Sequence, residues 1–273
     1  MKYCGKFSKK IDMSIFDEVA ILYNHEDRAV ITFLQEHINQ RVVLIVRDFK
    51  EFAFIEEWKK LNAIHEQYPE FNFAVCFGEA RKFEEAPAVM VQCMENLQIP
   101  FFTGYVAANF DQLNYLCSLG VSDVYLAEDI CFDLKRAKRV CSNHNVQIRA
   151  FPNVGQSGIK SGPALKKFFI RPEDVEEYSD VIDILEFWGP LDRQATLHKI
   201  YTKGVWFGDL KDLILDLDLS FDSRRIMPGF AYARKVCGRK CMKGESCAIC
   251  DRVYSISEKL ADKKLIIKKQ KNS

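Results

Sequence analysis

The sequence predicts an α/β fold, a (β/α)8 TIM-type barrel carrying a C-terminal four-cysteine module. Three observations lead there. Eight short, nearly continuous apolar runs alternate with helical patterns over the first 210 or so residues. No G-x-G-x-x-G or Walker-type loop marks an open doubly wound sheet, the rival architecture. And four of the ten cysteines crowd together near the C-terminus. Runs of this kind read as parallel strands buried on both faces, because a half-solvated strand would alternate apolar and polar residues.

In chain order the expected strands are Val19–Asn24, Val42–Asp48, Phe71–Gly78, Phe101–Val106, Asp123–Glu128, Val146–Asn153, Val181–Trp188 and Gly204–Asp209. Between the second and third, Phe54, Trp58, Leu61 and Ile64 recur every three or four residues and make one helical stripe. Asn109 suits the N-cap of a helix from Phe110, and Gly120 its C-terminal stop. Pro172, ahead of Glu173 and Asp174, suits a first helical turn. The Gly/Ser/Lys-rich stretch Val154–Ile170 is longer than ordinary strand–helix loops, and loops of that kind tend to be functional.

The 273 residues are 48% hydrophobic, enough for a large core, and exclude disorder and a small disulfide scaffold. No apolar run reaches the roughly 18–20 residues of a membrane span. The opening MKYCGKFSKKID lacks the apolar stretch of a secretory signal, so a cytoplasmic protein is expected. The net charge of +1 hides an asymmetry: the stretch Arg234–Ser273 holds 12 basic and 4 acidic residues, and the rest holds 27 basic and 34 acidic. An acidic body with a basic tail points to RNA or another polyanion as partner, against the plainer reading of a solvated tail. Three parts are therefore expected: the barrel at 1–233, the cysteine module at 234–254 and the basic tail at 255–273.

Six cysteines (Cys4, Cys76, Cys93, Cys117, Cys131, Cys141) stand in apolar surroundings without ligand spacing and read as small core residues. Cys237, Cys241, Cys247 and Cys250 form C-x3-C-x5-C-x2-C, four thiolates close enough in sequence to surround one ion or cluster. A 4Fe-4S cluster tolerates the irregular spacing. A structural zinc prefers paired C-x2-C knuckles, and only Cys247–Cys250 supplies one. Spacing leaves the two open. Arg234, Lys235, Arg239, Lys240, Lys243 and Arg252 lie around these ligands, to grip phosphates or to balance thiolate charge.

In a (β/α)8 barrel the chemistry sits at the C-terminal ends of the strands. That rule collects Asn24, Arg47, Asp48, Cys76, Tyr105, Glu128, Asp129, Asn153, Glu186 and Asp209 around one mouth. Each has the alternative of capping a helix or turning to water.

The stretch Gly120–Ser157, GVSDVYLAEDICFDLKRAKRVCSNHNVQIRAFPNVGQS, resembles peptidase family U-32, the collagenase-like barrel family. A GV-D-V-L-A-E strand leads there to a helix and then to a strand written E-x-F-x-H-G. Here that second strand keeps Phe151, with Arg149 in place of Glu and Asn153 in place of His. The family's cysteines usually begin just after this strand; here none follows before Cys237. The resemblance implies a (β/α)8-type fold and, despite the peptidase name, an iron–sulfur protein that supports oxygen-independent hydroxylation of RNA or a quinone precursor, with prephenate as oxygen donor.

On that footing Glu128, Arg149, Asn153 and Glu186 are the candidate catalytic residues. Arg171 and Asp48 are the candidate substrate-binding residues, Arg149 and Arg171 serving as carboxylate or phosphate clamps. Cys237, Cys241, Cys247 and Cys250 are the candidate ligands of a 4Fe-4S cluster, or alternatively of one structural zinc. The competing expectation is a non-catalytic barrel whose zinc-stapled module docks onto nucleic acid or a protein assembly, which the changed Glu and His positions favour. Peptidase activity is not expected: the five histidines form no H-E-x-x-H motif or Cys–His pairing, and His198 alone merits attention.

Overall fold

The computed structural model describes residues 1–8, 12–23, 27–46, 51–77, 95–153, 168–215, 222–226 and 230–237, together with positions 91, 250, 252 and 255. Nine strands form one sheet, all parallel: β1 (Lys2–Lys6), β2 (Glu18–Leu22), β3 (Arg41–Val46), β4 (Phe73–Phe77), β5 (Phe101–Thr103), β6 (Val106–Ala107), β7 (Asp123–Leu126), β8 (Gln147–Ala150) and β9 (Ile184–Glu186). Their spatial order is β5-β4-β3-β2-β1-β9-β8-β7-β6.

The two ends of that order are β5 and β6, which follow each other in the chain across Gly104 and Tyr105. They act as one interrupted stave. Its first half pairs with β4 and its second half with β7. Ser122 N donates to Phe101 O at 2.8 Å, drawing the start of β7 against β5 as well. The sheet is thus a nearly closed eight-stave α/β barrel, as the spacing predicts.

Helices follow the strands: α1 (Asp27–Glu36), α2 (Glu51–Gln67), α3 (Phe110–Ser118), α4 (Glu128–Cys131), α5 (Leu134–Ser142), α6 (Val175–Tyr178), α7 (Leu191–Lys203), α8 (Leu210–Leu213) and α9 (Phe230–Val236). Trp58, Leu61 and Ile64 of the expected α2 stripe are buried, each worth on the order of 1.5–3 kcal/mol, and the Phe54 side chain lies outside the described residues. Asn109 caps α3, its side chain accepting from Gln112 N at 2.9 Å, and Gly120 follows the helix in a left-handed conformation (φ 72°). Pro172 opens a short 3-10 turn leading into α6. Cys4, Cys76, Cys117, Cys131 and Cys141 are buried core residues as expected, and Cys93 lies outside the described residues. None of the described helices is long and apolar enough to cross a membrane.

One stave differs from expectation. Gly204–Asp209 is not a strand, and the eighth stave is β1 instead. Gly204 ends α7 in a left-handed conformation (φ 66°). The apolar run after it is then held as an ordered loop: Trp206 N donates to Glu173 Oε1 at 2.9 Å, and its indole donates to Asp209 O at 3.0 Å. β1 escapes the apolar criterion because Lys2, Gly5 and Lys6 make up most of its length. Its place between β2 and β9 is fixed by backbone pairing and by the alternation that turns Cys4 inward.

Gly5, on the outer face of β1, lies directly against Phe16, where an added Cβ would meet the ring at 2.7 Å. Gly5→Ala is therefore expected to lower the unfolding free energy by about 1–3 kcal/mol through overpacking. Urea denaturation reads this, and an unchanged midpoint would show that the ring retreats without cost.

Candidate functional site

Alternation along parallel strands sends every second side chain into the barrel. In register, Arg41, Glu18, Cys4 and Glu186 stand side by side on β3, β2, β1 and β9, and Tyr125 stands beside Arg149 on β7 and β8. The interior is thus strongly polar, and its lower part is a network of charges.

Arg149, 1% exposed, lies at the centre. Its Nη2 donates to Glu18 Oε2 at 2.6 Å, and its Nε donates to Asp123 Oδ1 at 3.1 Å. Nη1 meets Glu18 Oε1 at 2.6 Å as a charge contact without hydrogen-bond alignment, and Glu186 Oε2 lies 3.7 Å away. Arg41 grips Asp123 with both nitrogens, at 2.9 and 2.6 Å, and reaches Glu18 Oε2 at 3.1 Å. The guanidinium of Arg149 also lies 4.5 Å from the centre of the Phe102 ring. Two cations thus answer three carboxylates drawn from five strands.

Burial opposes the charge on Asp123, but the Arg41 hydrogen bonds and the charges of both arginines outweigh it and hold the carboxyl below its usual range. Burial likewise opposes the charge of Arg149, and the carboxylates of Glu18 and Asp123 overcome it and raise its pKa. Cys4 and Cys76 face this interior with thiols pushed up by burial and then by nearby carboxylates. They remain protonated, which makes them poor nucleophiles.

Above the network the lining turns aromatic. Tyr125 donates its phenol proton to Glu186 Oε2 at 2.6 Å, and its pKa is raised by burial and then by that carboxylate. The Tyr125 and Phe151 rings stack 5.2 Å apart with planes at 3°, and Phe151 meets Trp188 edge-on at 5.4 Å. Trp188 is 49% exposed, and the Lys6 ammonium stands 4.6 Å over its ring. Among the described residues the mouth thus presents an aromatic wall with the Lys6 ammonium at its rim and the Tyr125–Glu186 pair beneath. Such a surface suits a flat ring bearing a negative substituent.

The sequence-predicted residues divide accordingly. Glu186 lines the interior and accepts from the Tyr125 phenol. Arg149 does not face the mouth: its side chain turns down into the ion-pair network, where Glu18 and Asp123 answer its charge. Asn153 is fully buried, with Nδ2 donating to Trp188 O at 2.6 Å and Oδ1 accepting from Trp188 N at 2.9 Å. It is a positioning residue for Trp188. Arg171 is 3% exposed, forked onto Asp174 with an Nε–Oδ2 distance of 2.6 Å, and it also donates to Ser223 O. That leaves its guanidinium committed to a loop contact instead of a substrate. Asp48 and the Glu128 side chain lie outside the described residues. His198 packs edge-on to Tyr3 and Phe16, 5.0 Å from each, on the outer side of β1, with its pKa lowered by burial.

At the C-terminus, α9 packs on α5 and α6. Arg234 is 2% exposed, with Phe132, Phe168, Phe169 and Phe230 at 4.5–5.5 Å around its guanidinium. Lys235 pairs with Glu177 and Asp180, both at 2.9 Å. These two cations, expected near phosphates or thiolates, instead rivet α9 to the barrel. Cys237 and Cys250 are both half-buried against the core, while Cys241 and Cys247 lie outside the described residues. The described residues hold no group of three metal-ligating side chains.

Glu18, Arg41 and Asp123, absent from the expected site, do carry a signal in the sequence: each is a charged residue at the first position of an apolar strand run. Removing the central cation leaves buried carboxylates unanswered, so Arg149→Ala is expected to cost about 3–5 kcal/mol. Because the Asp123 pKa is lowered by folding, its stabilisation is full above the unfolded value near pH 4 and is lost as pH falls through the lower folded value. Denaturation curves between about pH 2 and 7 should show this loss, and Asp123→Asn should remove that part of it; an identical acid profile in the variant would contradict the assignment.

No protein-family model matches the sequence, nor does any curated protein. Among solved structures the chain is similar to RipC from Yersinia pestis, at 9% identity over 73% of this chain and 93% of that one, with a TM-score of 0.37. It is also similar to 3-keto-L-gulonate-6-phosphate decarboxylase from Vibrio cholerae, at 14% identity over 71% of this chain and 88% of that one, with a TM-score of 0.37.

Proposed function

We propose that this chain is a metal-dependent barrel enzyme, a divergent relative of the U-32 hydroxylase-like proteins, acting on a flat aromatic acid or on a base of RNA. The observation that carries the reading is the Lys6–Trp188–Phe151 wall above the Tyr125–Glu186 pair. The substrate ring stacks on Trp188 with Phe151 against its edge, and Lys6 takes its negative substituent. Tyr125 gives its proton to Glu186, so its Oη offers the substrate acceptor lone pairs. Asn153 holds Trp188 at the rim through both backbone groups.

The cysteine module fits a metal or cluster by its donor chemistry: four thiols, with the first and last both packed against the barrel core. Cys237, Cys241, Cys247 and Cys250 would hold it. A 4Fe-4S cluster there supplies the one-electron chemistry that side chains lack. The basic tail beyond it carries the polyanion-binding part of the proposal.

A second reading, a non-catalytic barrel with a structural zinc, is favoured by a separate observation. Arg149, Asn153 and Arg171 are all committed to internal contacts.

Anaerobic purification with metal analysis and a visible spectrum separates the two. About four irons per chain with a broad band near ~400 nm supports the enzyme; about one zinc and no colour supports the binding module. Cys247→Ser with Cys250→Ser should abolish metal retention, and unchanged stoichiometry would overturn the ligand set. Trp188→Ala should weaken binding of an aromatic carboxylate about tenfold by calorimetry, and equal affinity would remove the mouth as the site.

A further inference from the structure

Helices α3, α5 and α9 pack side by side, α5 in the middle. The α5 sequence, LKRAKRVCS, carries four cations and no acid. Lys138 is spoken for by Asp183, both carboxylate oxygens lying 2.7 Å from its ammonium. The other three, Lys135, Arg136 and Arg139, are exposed. Aromatic rings flank them on both sides. On α9, Tyr232 is 51% exposed with the Lys135 ammonium 5.0 Å from its ring centre. On α3, Phe110 lies under the Arg136 guanidinium at 4.0 Å, and Tyr115 is 43% exposed. The strongly basic sequence that starts at Arg234 begins on α9, which packs against α5.

We propose that this face, Lys135, Arg136 and Arg139 with Tyr232, binds single-stranded RNA, extending the polyanion reading above on which it rests. Positions 135 and 139 lie one helical turn apart, about 6 Å along the axis, so the cations form a row that follows a backbone instead of a point that holds one anion. A base stacks on Tyr232 while Lys135 exchanges the ring for the adjoining phosphate, and Arg136 already shows the guanidinium-on-ring packing that bases also accept. A duplex offers no unstacked base to Tyr232. An anionic membrane has no use for one.

The test uses the full chain and a fluorescein-labelled mixed-sequence RNA of about 12 nucleotides, followed by anisotropy between about 50 and 200 mM salt. Lys135→Gln, Arg136→Gln and Arg139→Gln together should weaken binding and reduce the slope of log K against log salt by about 2. Tyr232→Ala should weaken it about tenfold with the slope kept, and Tyr232→Phe should restore it. The proposal is overturned if the triple variant binds like the parent, which leaves binding to the tail alone. It is equally overturned if duplex RNA or phosphatidylserine vesicles bind as well as the single strand and ignore Tyr232→Ala. Metal content of the same preparations reports on the cysteine module separately, so the failure of one proposal is distinct from the failure of the other.

Discussion

The barrel is organised around one arginine held where water is excluded. Arg149 brings a full charge into the interior, and an unanswered charge there would cost several kcal/mol. It is tolerated because Glu18 and Asp123 meet it directly and Arg41 completes the square from across the barrel. These four residues come from β8, β2, β7 and β3, so two of the pairings, Arg149–Glu18 and Arg41–Asp123, span the cavity and tie strands that are not neighbours. A one-residue slip of β8 would turn Arg149 out toward the helices and leave the carboxylates facing each other. A wholly apolar interior of the same volume would be no less stable; what the ion pairs add is a penalty on every wrong register.

That arrangement also decides what the upper half of the barrel can be. Because Glu18 and Asp123 answer the Arg149 charge below, Glu186 is left to accept the Tyr125 phenol above, with Arg149 Nη1 a secondary neighbour at 3.7 Å. The lining from Tyr125 to Trp188 is then left to stacked rings. Among the described residues, polarity grades from an ionic lower network to an aromatic rim where Trp188 is exposed. The interior thiols of Cys4 and Cys76, raised by burial, stay on the inert side of this gradient.

The sequence made the barrel legible through its spacing, because doubly buried strands must be apolar on both faces. It failed where that premise fails. β1 is short and half composed of lysine and glycine, so its strand character lies in its pairing with β2 and β9. The Gly204–Asp209 run is apolar because Trp206 packs into a loop, which periodicity cannot tell from a buried strand. At the site, alternation says which face a side chain leaves from, and the long Arg149 side chain, expected at the mouth, travels as far as its charge requires. Asn153 stands at a strand end as expected, yet the neighbour it serves, Trp188, is distant in sequence and close only once β8 and β9 pair around the barrel.

The C-terminal region shows the same limit on a larger scale. Composition changes at Arg234, yet α9 runs from Phe230 to Val236 straight across that boundary. The first two cations of the basic stretch are also the ones that bind it to the barrel: Arg234 enters a cage of four phenylalanines, and Lys235 is clamped by Glu177 and Asp180. A buried guanidinium among aromatic faces keeps its favourable electrostatics while shedding water, so this attachment resists salt far better than surface pairs do. The stretch that reads in sequence as a solvated tail therefore begins as a fixed part of the fold. Cys237 directly follows the end of α9, half-buried against the core.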